Sequence, residues 1–206
     1  MTPNDFEKRF DVSRETMERL EHLDVLLKKW NPKINLVSPA TLKESWGRHI
    51  WDSAQIYGLA SEKCGKWLDI GSGGGFPGLV VAILNAGEGN PWDVAMMESD
   101  VRKCTFLRTV LRETSVKAEV ITSRIEEAEP ANADVLSARA LTDLTGLCEF
   151  SVRHLKADGL SIFPKGVSWK KEVQTAEKSW SFASEVIKSE TQEGAVILKV
   201  RDITGV

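Results

Sequence analysis

The run Asp69-Ile70-Gly71-Ser72-Gly73-Gly74-Gly75-Phe76-Pro77-Gly78 carries the densest chemical information in the chain. Lys66-Trp67-Leu68 leads into it and Leu79-Val80-Val81-Ala82-Ile83-Leu84 comes after it, so it reads as strand, glycine turn, helix. Glycine is required where the backbone adopts φ > 0, or where a ligand comes closer than a Cβ allows. Alternating Gly71, Gly73 and Gly75 at a strand end therefore describe a surface that touches a ligand with its backbone. Glu98 closes the next buried-looking run, Trp92-Asp93-Val94-Ala95-Met96-Met97. An acid at the end of a second strand accepts hydrogen bonds from two ribose hydroxyls. The plainer reading makes Glu98 a surface residue ahead of an N-cap at Ser99 or Asp100. Its arrival where the glycine turn predicts an acid favours the ligand.

Two ligand classes use such a turn. The dinucleotide fingerprint G-x-G-x-x-G needs a third glycine for close helix–strand packing, with pyrophosphate on the helix N-terminus. Counting from Gly71, that third position is Phe76. The spacing instead resembles motif I of the S-adenosylmethionine (SAM) methyltransferases. SAM carries no phosphate, and its amino-acid end needs close backbone approach, which Gly71, Gly73 and Gly75 permit. Glu98 suits the ribose of either ligand and does not separate them.

The elements that must position these residues alternate. Residues 13–30 read as an amphipathic helix with Ser13 as N-cap and a stripe of Met17, Leu20, Leu23, Leu27 and Trp30, stopped by Asn31-Pro32. A second helix is expected over about 41–57, opened by a Thr41-x-x-Glu44 capping box. Then come strand 66–70, helix 77–85, strand 93–98, helix 100–112, strand 116–121, strand 133–137, helix 142–155, strand 159–163 and helix 168–179. Val101, Cys104, Leu107 or Arg108, and Leu111 mark the inner face of helix 100–112. Two last strands, 182–189 and 195–201, are joined by a Gln192-Glu193-Gly194 turn. The pattern predicts an α/β fold: a class I SAM-methyltransferase (Rossmann-like), mostly parallel seven-stranded sheet with helices on both faces and an N-terminal helical cap. One domain, 1–206, is expected, with a helical extension over 1–62 and a SAM-binding core over 63–206.

Composition bounds the partners. The chain has 206 residues and a formal net charge of −3, so no global basic field draws it to nucleic acid. Any RNA contact must come from a local patch. Residues 28–49 hold Lys28, Lys29, Lys33, Lys43 and Arg48 against Glu44 alone, although a charge cluster is usually a solvated face. Cys64, Cys104 and Cys148 are odd in number and lack C-x-x-C spacing, which argues against a disulfide framework or zinc site and fits a reducing cytoplasm. No metal is expected. No secretory signal or membrane-spanning run is visible.

Six motifs in order resemble the bacterial RsmG (GidB) methyltransferases, which methylate guanine N7 in the 530 loop of 16S rRNA. They are Lys29-Trp30-Asn31 through Ile34-Asn35-Leu36, Arg48-His49-Ile50-Trp51-Asp52-Ser53, the glycine turn, Ser123-Arg124-Ile125-Glu126, Ser137-Ala138-Arg139-Ala140, and Lys165-Gly166. The resemblance covers nearly the whole chain and is weakest over 167–206. It implies SAM as cofactor, held by Gly71 and Phe76 in the glycine turn, by Ile125 and Glu126 at the adenine, and by Arg139, beside the Gly73, Gly75 and Glu98 already read from the residues. Glu127 and Glu129 read as a solvated acidic loop.

The fourth strand's end faces the methyl group in this fold. Arg139 stands there in place of the Asn/Asp-Pro-Pro-aromatic tetrad of amine methyltransferases or the cysteine of cytosine-C5 enzymes. The resemblance makes it the catalytic candidate, orienting guanine O6 or holding the cofactor network; the plainer reading is a salt bridge, with Asp69 as partner. Trp30, Trp46, Trp51 and Phe76 are candidate base platforms, though Trp30 and Trp67 read better as core. Lys28, Lys29, Lys33, Arg48 and Lys165 are the candidates for RNA phosphates, and His49 is expected to be structural.

The implied partner is 16S rRNA within the 30S subunit or a late precursor, with no membrane contact, and nothing demands more than a monomer. Competing readings are a SAM methyltransferase with another substrate, an NAD-dependent oxidoreductase, and a non-catalytic ribosome-assembly factor that keeps a SAM pocket.

Overall fold

The computed structural model describes residues 1–60 and 64–206. The boundary between extension and core expected at 62/63 lies outside the described residues. Seven strands form one sheet in the order β3-β2-β1-β4-β5-β7-β6. They are β1 Gly65–Ile70, β2 Trp92–Glu98, β3 Glu119–Thr122, β4 Ala133–Ser137, β5 Leu155–Lys165, β6 Trp180–Lys188 and β7 Val196–Gly205. The first five pair in parallel, whereas β7 runs antiparallel to both β5 and β6. Strand order reverses between β1 and β4, the place where open α/β sheets bind ligands at the carboxyl ends of their strands.

Helices α5 Gly78–Gly87, α6 Val101–Glu113, α7 Leu144–His154 and α8 Trp169–Ala176 connect the strands. Ahead of them lie α1 Pro3–Phe10, α2 Arg14–Ile34, α3 Pro39–Leu42, a π-helical segment Trp46–Trp51 and α4 Asp52–Tyr57. Two apolar clusters result. One unites the cap (Phe6, Leu20, Leu23, Leu27, Ile50) with α5, α6 and one sheet side through Val80, Ile83, Phe106 and Trp67. The other joins Leu68, Ile70 and Leu136 to α7, α8 and β7. The cap thus shares a core with the sheet.

Several local expectations are corrected. Helix α2 does not stop at Asn31-Pro32 but runs to Ile34, because proline removes only one interior hydrogen bond. The stop comes from Asn35 at φ 51°, whose N–H bonds the Asn31 carbonyl, while the Asn31 side chain accepts from Val37 N at 2.8 Å. The expected 41–57 helix is broken into three pieces, and its first N-cap is Ser38, whose hydroxyl accepts from Thr41 N, rather than Thr41. Helix α1 has no counterpart among the expected elements; Thr2 and Asp5 form its capping box, and Phe6 is its buried anchor. Val116 joins the core in the turn after α6 rather than a strand, and β3 begins at Glu119. On α6, Cys104, Leu107 and Leu111 face inward as expected, but Val101 is 64% exposed. The terminal hairpin forms as expected with longer strands, leaving Ser189–Ala195 as its turn.

Candidate active site

Strand β1 ends at Asp69-Ile70, and the buried Asp69 organises the glycine turn beyond it. Its Oδ1 accepts from the Ser137 hydroxyl at 2.7 Å and its Oδ2 from Gly78 N at 3.2 Å. Trp67 Nε1 donates to the same Ser137 oxygen at 3.0 Å, tying β1 to β4 beneath the turn. Burial outweighs these hydrogen bonds and pushes the Asp69 carboxyl up to about 6. Gly71, Gly73 and Gly75 all have positive φ (61°, 54° and 85°), so each needs glycine, as their spacing predicts. Their surroundings differ. A Cβ on Gly75 would lie 2.2 Å from Leu79 Cδ1, whereas one on Gly73 would find nothing nearer than the Gly71 carbonyl at 3.7 Å. Gly75 is shaped by packing. Gly73 opens into the cavity.

That cavity is about 1240 Å³ and runs along the strand ends. Ligand pockets for one small molecule span roughly 300–1,000 Å³, so it has room for a cofactor and part of a second reactant. Glu98 stands in its wall, 8% exposed, accepting from Gly73 N at 2.9 Å and Asp100 N at 2.8 Å. It therefore also braces the glycine turn, a role its sequence position does not suggest. Ile125 presents an apolar face, and its carbonyl accepts from His154 Nε2 at 2.9 Å. Glu126 is exposed at the rim, 3.6 Å from Arg124.

These features favour SAM over a dinucleotide on geometry as well as spacing. The first amides of α5 are already engaged: Pro77 has none, Gly78 N donates to the Asp69 carboxylate, and Leu79 N to the Gly75 carbonyl. A buried carboxylate thus occupies the helix end where a pyrophosphate would bind. The open edge at Gly73, the Glu98 carboxylate and the apolar face of Ile125 suit a ligand that carries no phosphate.

Arg139 sits just past β4, 17% exposed at its side chain, but its ion pair is with Asp52 (3.2 Å), not Asp69. It also donates to the Arg48 carbonyl at 2.8 Å and to His49 Nδ1 at 2.8 Å. All three partners lie in or beside the π-helical segment, a local widening frequent at functional sites. Because arginine can only donate, His49 Nδ1 is the acceptor and Nε2–H donates to Thr41 Oγ1 at 2.9 Å. Phe76 closes the assembly, with the His49 ring at 5.0 Å and the Arg139 guanidinium at 5.4 Å. Asp52 further accepts from the Thr191 hydroxyl at 2.7 Å, and Arg48 donates to Gln192 at 2.8 Å, so the β6–β7 turn locks onto the same patch.

The aromatic platforms are corrected. Trp46 and Trp51 are each 8% exposed and pack edge-on against Phe6, because the apolar face of α1 covers them. Phe76 is 4% exposed with His49 and Arg139 against it. Trp67 is core, and Trp30 packs on Phe106, as expected. Among the basic candidates, Lys29 and Lys33 are exposed on α2, and Lys28 pairs with Asp24 at 2.7 Å. Arg48 and Lys165 line the cavity, with Lys165 buried against Glu172. Lys103 and Arg124 at the rim escape a reading of the sequence because they lie outside the 28–49 cluster. Cys148 is fully buried and its thiol is pushed up to about 11, which leaves it protonated. Among the described residues no His, Cys, Asp and Glu cluster could hold a metal ion, and no helix is long and apolar enough to cross a membrane.

His49 has a measurable consequence. Burial first, then the Arg139 and Arg48 charges, lower its pKa from 6.5 to about 3. The unfolded chain takes up a proton below pH 6.5 and the folded chain does not, so this contribution to stability is complete above pH 6.5 and falls away as pH drops toward 3. At about 1.4 kcal/mol per pH unit, wild type should lose roughly 2–3 kcal/mol more than His49→Gln between pH 6.5 and 4.5. Denaturant titrations across that range check it; identical slopes would contradict the neutral imidazole.

Known proteins share this fold and sequence. A TehB-like SAM-dependent methyltransferase from Corynebacterium glutamicum superposes with a TM-score of 0.56 at 15% identity, covering 91% of this chain and all of that one, which shows the shared fold. The ribosomal RNA small subunit methyltransferase G of Ruegeria sp. (strain TM1040) is 54% identical over 193 residues, covering 94% of each chain. That of Ruegeria pomeroyi is 52% identical over 196 residues, covering 95% of this chain and 96% of the relative. The model of the rRNA small subunit methyltransferase G family matches residues 16–197. A sheet of methyltransferase topology, a glycine turn whose helix-end amides are already engaged, and a family match through both cap and core lead to one assignment: the chain belongs to the rRNA small subunit methyltransferase G (GidB) family.

Proposed function

We propose that this chain transfers a methyl group from SAM to N7 of a guanine in the 530 loop of 16S rRNA, acting on the small ribosomal subunit or a late precursor in the cytoplasm. The observation that carries the reading is the continuity of the cavity. It extends from Glu98 and Ile125, past Gly71 and Gly73, to Arg139, Lys165 and the β6–β7 turn, so cofactor and base can lie side by side at the strand ends.

SAM, when bound, supplies an electrophilic methyl on a sulfonium. Guanine N7 already presents a lone pair and carries no proton, so no residue is required as general base. The chain's residues orient and enclose instead; well-oriented reactants gain about 7–11 kcal/mol in this way. Gly73 and Gly75 shape the turn at the amino-acid end. Glu98 holds that turn and offers its remaining lone pairs to ribose hydroxyls. Ile125 and Glu126 serve the adenine. Arg139 acts as a positioning residue, fixing the cap and Phe76 against the end of β4. Lys29 and Lys33 on α2, with Lys103 and Arg124 at the rim, are the cations offered to phosphates. A chain of net charge −3 binds naked RNA weakly at physiological salt, which supports a folded ribonucleoprotein as substrate.

Two measurements test this reading. Titration calorimetry should show SAM and S-adenosylhomocysteine binding with NAD giving no heat. Labelled methyl should then pass from SAM to unmodified small subunits. NAD binding in place of SAM would overturn the cofactor assignment, and transfer to protein rather than RNA would overturn the substrate.

A further inference from the structure

Lys165 and Glu172 form an ion pair in the cavity wall that cofactor binding and methyl transfer leave without a task. Lys165 ends β5 with its side chain only 7% exposed, and Nζ lies 2.8 Å from Glu172 Oε2 and 3.3 Å from the Thr142 carbonyl. Glu172, on the first turn of α8, is 23% exposed, and Ser168 donates to its other oxygen at 3.4 Å. A buried ion pair is weak evidence for a stabilising role, since desolvation consumes most of the attraction. Its place suggests another role. Three strand spacings separate β5 from β2, so Lys165 lies roughly 14 Å from the Glu98 end. The neighbouring Leu141 packs over Gly71, which keeps Thr142 and Lys165 beside the glycine turn.

The donors and acceptors match guanine rather than adenine. Lysine has three N–H groups, two of them engaged here, and a carboxylate accepts through about four lone-pair positions. Donor and acceptor therefore stand side by side in the wall. Guanine presents the complement on adjacent atoms: O6 accepts and N1–H donates. Adenine presents the reverse, an amino donor at C6 and a bare N1. Holding guanine by O6 and N1 leaves N7, on the other ring, without a protein partner and open to the methyl donor.

We propose that Lys165 and Glu172 are the guanine-reading subsite, with Lys165 Nζ donating to O6 and Glu172 accepting from N1–H. This rests on the proposed guanine-N7 reaction and moves Lys165 from phosphate binding to base recognition. A site built to hydrogen-bond its substrate rejects an analogue lacking those groups by roughly 10⁴–10⁵-fold.

The test uses small subunits reconstituted with 16S rRNA whose target guanosine is replaced by inosine, 2-aminopurine riboside or adenosine, all of which keep N7. Inosine keeps O6 and N1–H and loses only the 2-amino group, so wild-type enzyme should methylate it within about 10-fold of guanosine. 2-Aminopurine and adenosine should fall by roughly 1,000-fold or more. Glu172→Ala and Lys165→Met should each lower kcat/KM on guanosine on the order of 100-fold, with SAM affinity within about 3-fold of wild type. Equal rates on guanosine and 2-aminopurine, unchanged kcat/KM in Glu172→Ala, or a parallel loss of SAM affinity would overturn the subsite. If wild type places no label on N7 of the unaltered target, the underlying reaction fails instead, and the subsite with it. The analogue arm needs no mutation, so a variant that misfolds does not remove the test.

Discussion

Replacing Arg139 with alanine should lower turnover by at least about 100-fold and destabilise the fold. The guanidinium joins the end of β4 to the Arg48 carbonyl, His49 Nδ1 and Asp52 at 2.8, 2.8 and 3.2 Å. Its loss leaves Asp52, 17% exposed, without its cation, and His49 without a donor. Removing one partner of a buried pair costs about 3–5 kcal/mol; partial exposure brings the expectation here to roughly 2–4 kcal/mol. For a domain of this size that lowers Tm by roughly 4–16 °C. The catalytic loss has a separate origin. Phe76 and the π-helical segment border the cavity, and a misplacement near 1 Å can cost about 100-fold. Arg139→Lys should recover part of the stability through Asp52. It should not recover turnover, because one ammonium cannot reproduce the planar fork. Thermal melts and single-turnover rates on both variants check this, and near-wild-type turnover in Arg139→Ala would refute the positioning role.

Alanine at Gly73 and at Gly75 should fail in different ways. Both positions have positive φ, which costs a non-glycine residue roughly 1–2 kcal/mol. At Gly75 the new methyl would also meet Leu79 Cδ1 at 2.2 Å, and Leu79 is fully buried and cannot retreat. Overpacking adds about 1–3 kcal/mol, so Gly75→Ala should lose roughly 2–5 kcal/mol of stability. At Gly73 the methyl meets no protein atom within 3.7 Å and projects into the cavity. Gly73→Ala should therefore stay folded and lose SAM affinity on the order of 100-fold, equivalent to about 3 kcal/mol. Denaturant titration and calorimetry separate the two outcomes. A Gly73→Ala protein binding SAM as tightly as wild type would show that the ligand does not approach that backbone.

The features legible in the sequence are those that short-range chemistry dictates. The glycine turn is readable because positive φ at residues 71, 73 and 75 leaves little choice of residue, and the structure shows all three there. Alternating strands and helices imply the sheet, since each parallel pair needs a crossover. Arg139 is legible as a position but not as a set of contacts, because its partners Asp52 and His49 lie 87 and 90 residues earlier. His49 and Asp52 stand in the Arg48–Ser53 motif, yet nothing local says that a π-helical segment turns both toward β4. Trp46 and Trp51 look like base platforms because α1, which covers them, carries only one buried anchor, Phe6. Pro32 looks like a stop because its own geometry argues for one, while the actual terminus depends on Asn35 and on the Asn31 side chain reaching Val37.

The most direct measurement of the proposed reaction is to incubate the purified protein with methyl-labelled SAM and 30S subunits from cells lacking this enzyme, beside protein-free 16S rRNA. Label is then mapped by cleavage specific for N7-methylguanine. A single labelled guanine in the 530 loop, formed faster on subunits than on naked rRNA, is the predicted result. No label on either substrate by a protein that still binds SAM, or label at an exocyclic amine or another nucleotide, would contradict it.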